Sequence, residues 1–196
     1  MFTGIITDIG TVKALETGNG AKLTLSVPFD AGSVAIGASV CCAGVCLTVT
    51  EKGGNWLSFD ASEETLNRTT IGGWKDGTPV NMERSLKAGD ELGGHMVMGH
   101  VDAVGEVMTI EEMDGGEKFI FSLPKPIAHL VAEKGCISVD GVSLTVNGAG
   151  PDTFDLAIIP HTKKVTTFKS LKKGDKVNLE ADIFARYSAR LNEMQE

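Results

Sequence analysis

The sequence predicts an all-β protein built from two copies of one small barrel or sandwich. Three observations predict it. The chain repeats itself, its strand-like runs are short and β-branched, and its 24 glycines suit many tight turns. In the repeat, Gly-Val-Cys-Leu-Thr-Val at 44–49 returns as Gly-Val-Ser-Leu-Thr-Val at 141–146, an offset of 97. The same offset carries Thr65 onto Thr162, Val80-Asn81 onto Val177-Asn178 and Glu83 onto Glu180. At an offset of 95, Gly4-Ile5-Ile6 falls on Gly99-His100-Val101. Array repeats run roughly 20–50 residues, so a period this long is a duplicated domain of roughly 90 residues.

In the first copy, residues 5–12, 21–27, 47–50, 56–60 and 79–83 read as strands, each bounded by Gly, Asn, Asp or Pro. Residues 22–27 alternate polar and apolar, the pattern of a half-buried antiparallel strand. Five or six such strands suit closure, which removes exposed edges. Short helices are predicted at 62–66 and 160–165, starting at Ser62 and Pro160. A further one is expected at 126–131, with 31–34 as its weaker counterpart. The boundary between copies is expected within 87–94, giving domains 1–92 and 93–182. The tail, 183–196, has no counterpart in the first copy. Phe184, Tyr187 and Leu191 fall on one helical face there. That helix either assembles an oligomer or folds back on its own barrel.

The bulk numbers exclude several classes. A net charge of −8 argues against nucleic acid, since phosphate binding needs clustered Lys and Arg. No apolar run approaches the roughly 20 residues of a membrane span. The start, Met1-Phe2-Thr3-Gly4, lacks the pattern of a signal peptide. The four cysteines (Cys41, Cys42, Cys46, Cys136) lack zinc-ligand spacing, and no metal is expected. They read as free thiols of a reducing cytoplasm.

Met-Phe-Thr-Gly-Ile at 1–5, Cys-Leu-Thr-Val at 46–49, Gly-Gly-His-x-x-x-Gly-His at 93–100 and Asp-Gly-x-Ser-Leu-Thr-Val at 140–146 together resemble the riboflavin synthase α-chain family. The likeness runs over the whole chain. It implies two tandem six-stranded Greek-key antiparallel barrels with short helices and a C-terminal helix that assembles a homotrimer. It implies no cofactor. It also implies a dismutation in which two molecules of 6,7-dimethyl-8-ribityllumazine exchange a four-carbon unit, giving riboflavin and 5-amino-6-(D-ribitylamino)uracil. The reacting pair would lie between the N-terminal barrel of one subunit and the C-terminal barrel of a neighbour. Lumazine synthase is a further expected partner. The chain departs from the family at Cys41-Cys42-Ala43-Gly44, where Asn-Gly is common, and its tail is short.

Two identical substrates explain two copies of one cradle. Backbone around Cys46, Leu47, Thr48 and around Ser143, Leu144, Thr145 would read the ring edge, with the threonine hydroxyls reaching its polar atoms. Gly4 and Gly99 would let the chain approach the ring, beside Ile5, Ile6, His100 and Val101. The resemblance places Asp60, Ala61, Ser62, Glu63, Glu64 and Thr65, and Ile158, Ile159, Pro160, His161, Thr162 and Lys163, along the ribityl chain. His161 is read either as a surface residue or as a ribityl contact. The chemistry needs a proton taken from the methyl at C7 of one lumazine and a nucleophile added at C7 of the other, which points to His. His100 breaks the symmetry against Ile5 and is the expected acid/base or orienting group. His95 is read as supporting or structural. Cys46 against Ser143 is a second mismatch; with no base evident beside either, positioning and polarisation are expected. Lys134 against Gly37 is a third, and would stabilise an anion on the ring. Phe2 either stacks at the site or closes the N-terminal strand over it. Asp182 either caps the tail helix or assists the site.

Overall fold

A computed structural model describes residues 1–194. In the first copy, β1 (Asp8–Gly18), β2 (Gly20–Ser26), β3 (Ser39–Cys42), β4 (Val45–Gly53), β5 (Trp56–Ala61) and β6 (Pro79–Arg84) close into a barrel in the order β1-β2-β5-β4-β3-β6. In the second, β7 (Ala103–Met113), β8 (Gly116–Ser122), β9 (Cys136–Val139), β10 (Val142–Ala149), β11 (Thr153–Ile158) and β12 (Lys176–Ala181) close in the equivalent order. Every pairing is antiparallel. Helices α1 (Glu63–Arg68), α2 (Lys125–Ala128), α3 (Pro160–Val165) and α4 (Ile183–Glu193) complete the fold.

Local chemistry accounts for the elements. Alternation along β2 buries Leu23 and Leu25 while Lys22, Thr24 and Ser26 face outward. Register shifts between Val12 and Ala14, and between Val49 and Glu51, recur at Val107/Thr109 and Val146/Gly148. An extra residue on one strand adds the bend that closure requires. The Ser62 side chain accepts from Thr65 N–H to cap α1, and Pro160 opens α3. Each barrel has its own core. The first is mainly aliphatic, and the second holds Phe119, Phe121, Phe154 and Phe168 in edge-on and offset contact.

Two strand expectations need correction. The run at 5–12 becomes a strand only at Asp8, because residues 2–6 leave for the other barrel. β3 was not anticipated; its Ser-Val-Cys-Cys is too short to carry a period.

The barrels are locked by reciprocal exchange. The segment at 2–6 crosses to the second barrel, where Ser143 N–H donates to the Gly4 carbonyl at 2.8 Å and Ile6 packs on the core. The segment at 97–101 crosses to the first, where Cys46 N–H donates to the Gly99 carbonyl at 2.8 Å and Val101 packs on that core. Phe2 and Val97 bridge between the segments. Buried Glu83 accepts from Thr3 N–H, Thr3 Oγ1 and Gly4 N–H. Buried Glu180 accepts from Met98, Gly99 and His100 N–H.

Asn81 donates to the Asp140 carbonyl and accepts from Thr167 N–H, while Asn178 donates to the Ala43 carbonyl and accepts from Thr70 N–H. The turns at Ala43-Gly44 and Asp140-Gly141 meet here. A Cβ on Gly44 would stand 2.9 Å from Gly141 N, and one on Gly141 would stand 2.8 Å from Gly44 N.

Asp140 replaces Ala43 at this seam. It is buried, with φ +47°, and its Oδ1 accepts from Asn178 N–H. Burial pushes its carboxyl up to about 7, against that hydrogen bond. A raised carboxyl pKa means folding favours the protonated form. Its stabilising contribution is present at acid pH and is lost as pH rises from about 4 to 7. Asp140→Asn keeps the acceptor and tolerates the left-handed backbone. Urea midpoints at pH 5 and pH 8 should differ less in this variant than in wild type. At pH 8 the gain should be about 4 kcal/mol at most.

Candidate functional site

The exchange builds two cradles, each drawn from both halves of the chain. The first combines β4 with the segment at 99–101. The second combines β10 with the segment at 4–6. Alternation along β4 turns Cys46 and Thr48 outward and Leu47 into the core; on β10, Ser143 and Thr145 face outward and Leu144 packs against the core. Thr48, Thr145, His100 and Ile5 are exposed. Among the strand-end residues, Asp60 and Ile159 are exposed, whereas Ala61 and Ile158 are buried and offer side chains only to their barrels.

Gly4 and Gly99 share φ +76°. A Cβ on Gly4 would lie 2.5 Å from the Ser143 Cβ, and one on Gly99 would lie 2.6 Å from the Cys46 Cβ. Their bareness is required by the strand crossing, where no side chain would fit.

Phe2 is 0% exposed, in a cluster with Cys41 and Val97. It closes the N-terminal segment, as one of its two expected roles requires. The stacking, catalytic role is overturned, since no face of the ring is free.

His95 reads in the sequence as supporting or structural, and the partner it supports, Ser143, is what the sequence did not show. Its Nδ1 lies 2.6 Å from Ser143 Oγ, and its backbone N–H donates to the Thr3 carbonyl. It is buried, and Nε2 has no partner among the described residues. Burial holds the imidazole below its usual range, with the Asp182 charge working against this. In the tautomer with Nδ1 unprotonated the neutral imidazole accepts from the serine, the arrangement that activates a hydroxyl; in the other it donates to Ser143 Oγ and orients it. The signal was the Gly-Gly-His run just before the crossing segment. His100, by contrast, stands on the first cradle, on the strand whose Gly99 carbonyl receives Cys46 N–H. Asp182 caps α4 through Phe184 N–H, one of its two expected roles.

The helices flank the cradles asymmetrically. Ser62 and Thr65 hydroxyls meet at 3.0 Å on α1, Glu63 is exposed, and Glu64 pairs with Arg68. On α3, His161 is exposed, Thr162 is half-buried, and Lys163 Nζ pairs with Glu117 at 2.6 Å. Lys134 is exposed, with φ +63°, and donates its N–H to the Val146 carbonyl. Gly37 makes the matching bond to the Val49 carbonyl, with φ +84°. The second copy thus holds a lysine where a left-handed backbone favours glycine, at a cost of roughly 1–2 kcal/mol. Strain of this kind clusters at functional sites.

Two barrels with like cradles and unlike side chains define a tandem binder of two related small molecules. The lumazine-binding domain matches twice, over residues 3–85 and 98–182. The chain is 48% identical to the riboflavin synthase of Brucella abortus (strain 2308), over the whole of both chains. It is 37% identical to that of Bacillus subtilis (strain 168), over 97% of this chain and 89% of the relative. The crystal structure of LumP complexed with riboflavin superposes with a TM-score of 0.85 at 26% identity, covering 92% of this chain and 99% of that one. LumP complexed with 6,7-dimethyl-8-(1'-D-ribityl) lumazine gives 0.83 at 25% identity, with the same coverage. The chain belongs to the riboflavin synthase family of tandem lumazine-binding domains.

Lys134→Gly separates function from stability. It should raise the unfolding free energy by about 1 kcal/mol in urea titration, shifting the midpoint upward. It should also weaken lumazine binding at the second barrel in fluorescence titration. Unchanged binding would remove Lys134 from the site.

Proposed function

We propose that this chain converts two molecules of 6,7-dimethyl-8-ribityllumazine into riboflavin and 5-amino-6-(D-ribitylamino)uracil by passing a four-carbon unit from one to the other. The observation that carries this reading is the pair of pseudo-equivalent cradles, alike in Leu-Thr-Val backbone and unlike at Cys46/Ser143, Ile5/His100 and Gly37/Lys134. One substrate held twice, in two electrostatic settings, is what a dismutation requires.

In each cradle the outward threonine, Thr48 or Thr145, hydrogen-bonds ring polar atoms. The helix-start residues around Ser62-Thr65 and Ile159-Thr162 meet the polyol. At the second barrel Ser143 Oγ, with His95 taking its proton, is placed to polarise or add at C7. Lys134 supplies positive charge for the anion that forms when the C7 methyl loses a proton. His100 is the acid/base or orienting group presented from the first barrel. A purely binding role is the less favoured reading, because it assigns no work to the Ser143–His95 pair.

The subunit is proposed to work as a homotrimer. Both cradles are open on a single chain, and Ile5 and Ile159 stand about half exposed beside the second. Helix α4 keeps Phe184, Tyr187 and Leu191 exposed at 67%, 64% and 64%, so its apolar face does not fold back on the barrel. It is held instead by Arg186 to Asp102 at 2.6 Å. A partner covering that face would bring a second chain over the cradles. The free thiols support a cytoplasmic setting.

Incubation of the purified chain with the lumazine alone should produce riboflavin fluorescence. A stable lumazine complex without riboflavin would instead establish the binding protein. Phe184→Glu with Leu191→Glu should give monomers in analytical ultracentrifugation and lower turnover at least tenfold, while the thermal unfolding of the barrels is retained.

A further inference from the structure

Cys41 and Cys46 face one another across the first barrel's hairpin. They are register partners on β3 and β4. Cys42 and Val45 close the two-residue turn Ala43-Gly44, whose φ values of +46° and +80° mark it as a type I′ hairpin. The closing pair of such a turn is hydrogen-bonded, so the next pair out, Cys41 and Cys46, is not. Cys46 N–H confirms this by donating to Gly99 instead. Residues at a non-hydrogen-bonded site have Cα atoms about 4.5 Å apart and side chains on one face. A disulfide accepts Cα separations of roughly 4.4–6.8 Å. Cys41 lies outside the barrel core, in the buried cluster with Phe2 and Val97, and the half-buried Cys46 packs against the edge of that cluster. Both are free. In the second copy the same two positions are Ser138 and Ser143, again register partners. Only the first cradle carries a pair that can be bridged.

We propose that Cys41 and Cys46 form a reversible oxidative modification site that shuts the first-barrel cradle. Its effect on turnover rests on the reading of that cradle as a lumazine site. The oxidant is a hydroperoxide, and the order of events follows exposure. Cys41 is wholly buried, and burial pushes its thiol well up. Cys46 is half-buried at the rim and meets the peroxide first. Its sulfur takes one oxygen of hydrogen peroxide as the O–O bond breaks, giving a sulfenic acid, and the other oxygen leaves as water with the thiol proton. The Cys41 sulfur then attacks the Cys46 sulfur, forming the S–S bond and releasing the sulfenic oxygen with the Cys41 proton as a second water. Two thiols lose two hydrogens and two electrons, and hydrogen peroxide becomes two waters. The bridge removes the Cys46 thiol from the cradle and ties it toward the Phe2 cluster.

The test uses the full chain, with hydrogen peroxide and then dithiothreitol. Peptide mapping of the oxidised protein should show one Cys41–Cys46 bridge, with Cys42 and Cys136 still free to alkylate. Riboflavin formation should fall at least tenfold and return with dithiothreitol. Cys41→Ala should keep basal turnover but lose the reversible bridge. Four alkylatable thiols after oxidation, or a bridge to another cysteine, would overturn the proposal. So would equal, reversible inactivation of Cys41→Ala. A mapped Cys41–Cys46 bridge with full turnover would confirm the modification while removing the first cradle from the reaction, so the two readings fail separately.

Discussion

Two buried carboxylates hold the crossing on which everything else rests. The segments at 2–6 and 97–101 leave their own barrels as extended chain, and beyond the Phe2–Val97 bridge the N–H groups of Thr3, Gly4, Met98, Gly99 and His100 join no ladder. An unpaired buried N–H costs on the order of 1–3 kcal/mol. Glu83 answers Thr3 and Gly4; Glu180 answers Met98, Gly99 and His100. Each acid is itself buried, and its charge is tolerable only because these donors surround it. Burial still raises the Glu180 carboxyl above its usual range. With the crossing secured, Gly4 is brought against Ser143 and Gly99 against Cys46, and each cradle acquires a wall from the other half of the chain.

The lock is nearly symmetric and the chemistry is not. Asn81 and Asn178, the two glutamates and the glycines at 4 and 99 occupy matched places and do matched work. The differences fall on outward side chains at the cradles. Ser143 has His95 at 2.6 Å. Lys134 takes a backbone shape that Gly37 adopts freely. A duplicated scaffold can hold two copies of one molecule identically while these substitutions make their surroundings unlike.

Much of this was legible in residue order. The repeat gave the number of barrels. Ser62 and Pro160 marked α1 and α3 correctly, because capping is a local matter. The outward threonines followed from strand alternation. Other features were hidden because they depend on partners far along the chain. Phe2 left two roles open, stacking at the site or closing the N-terminal strand, and only its enclosure by Val97 and Cys41 separates them. Ile5-Ile6 reads as the start of β1, yet it belongs to the neighbouring barrel's surface.

By itself, then, the sequence determined the duplicated all-β architecture, the two Leu-Thr-Val strands and the positions at which the copies differ, since all of these are matters of local period and self-comparison. Only the tertiary structure decided which half serves which cradle. Strand exchange is a property of long-range pairing, and no local pattern distinguishes a segment that stays from one that crosses. That crossing sets His95 on Ser143 and places His100 with Cys46's barrel.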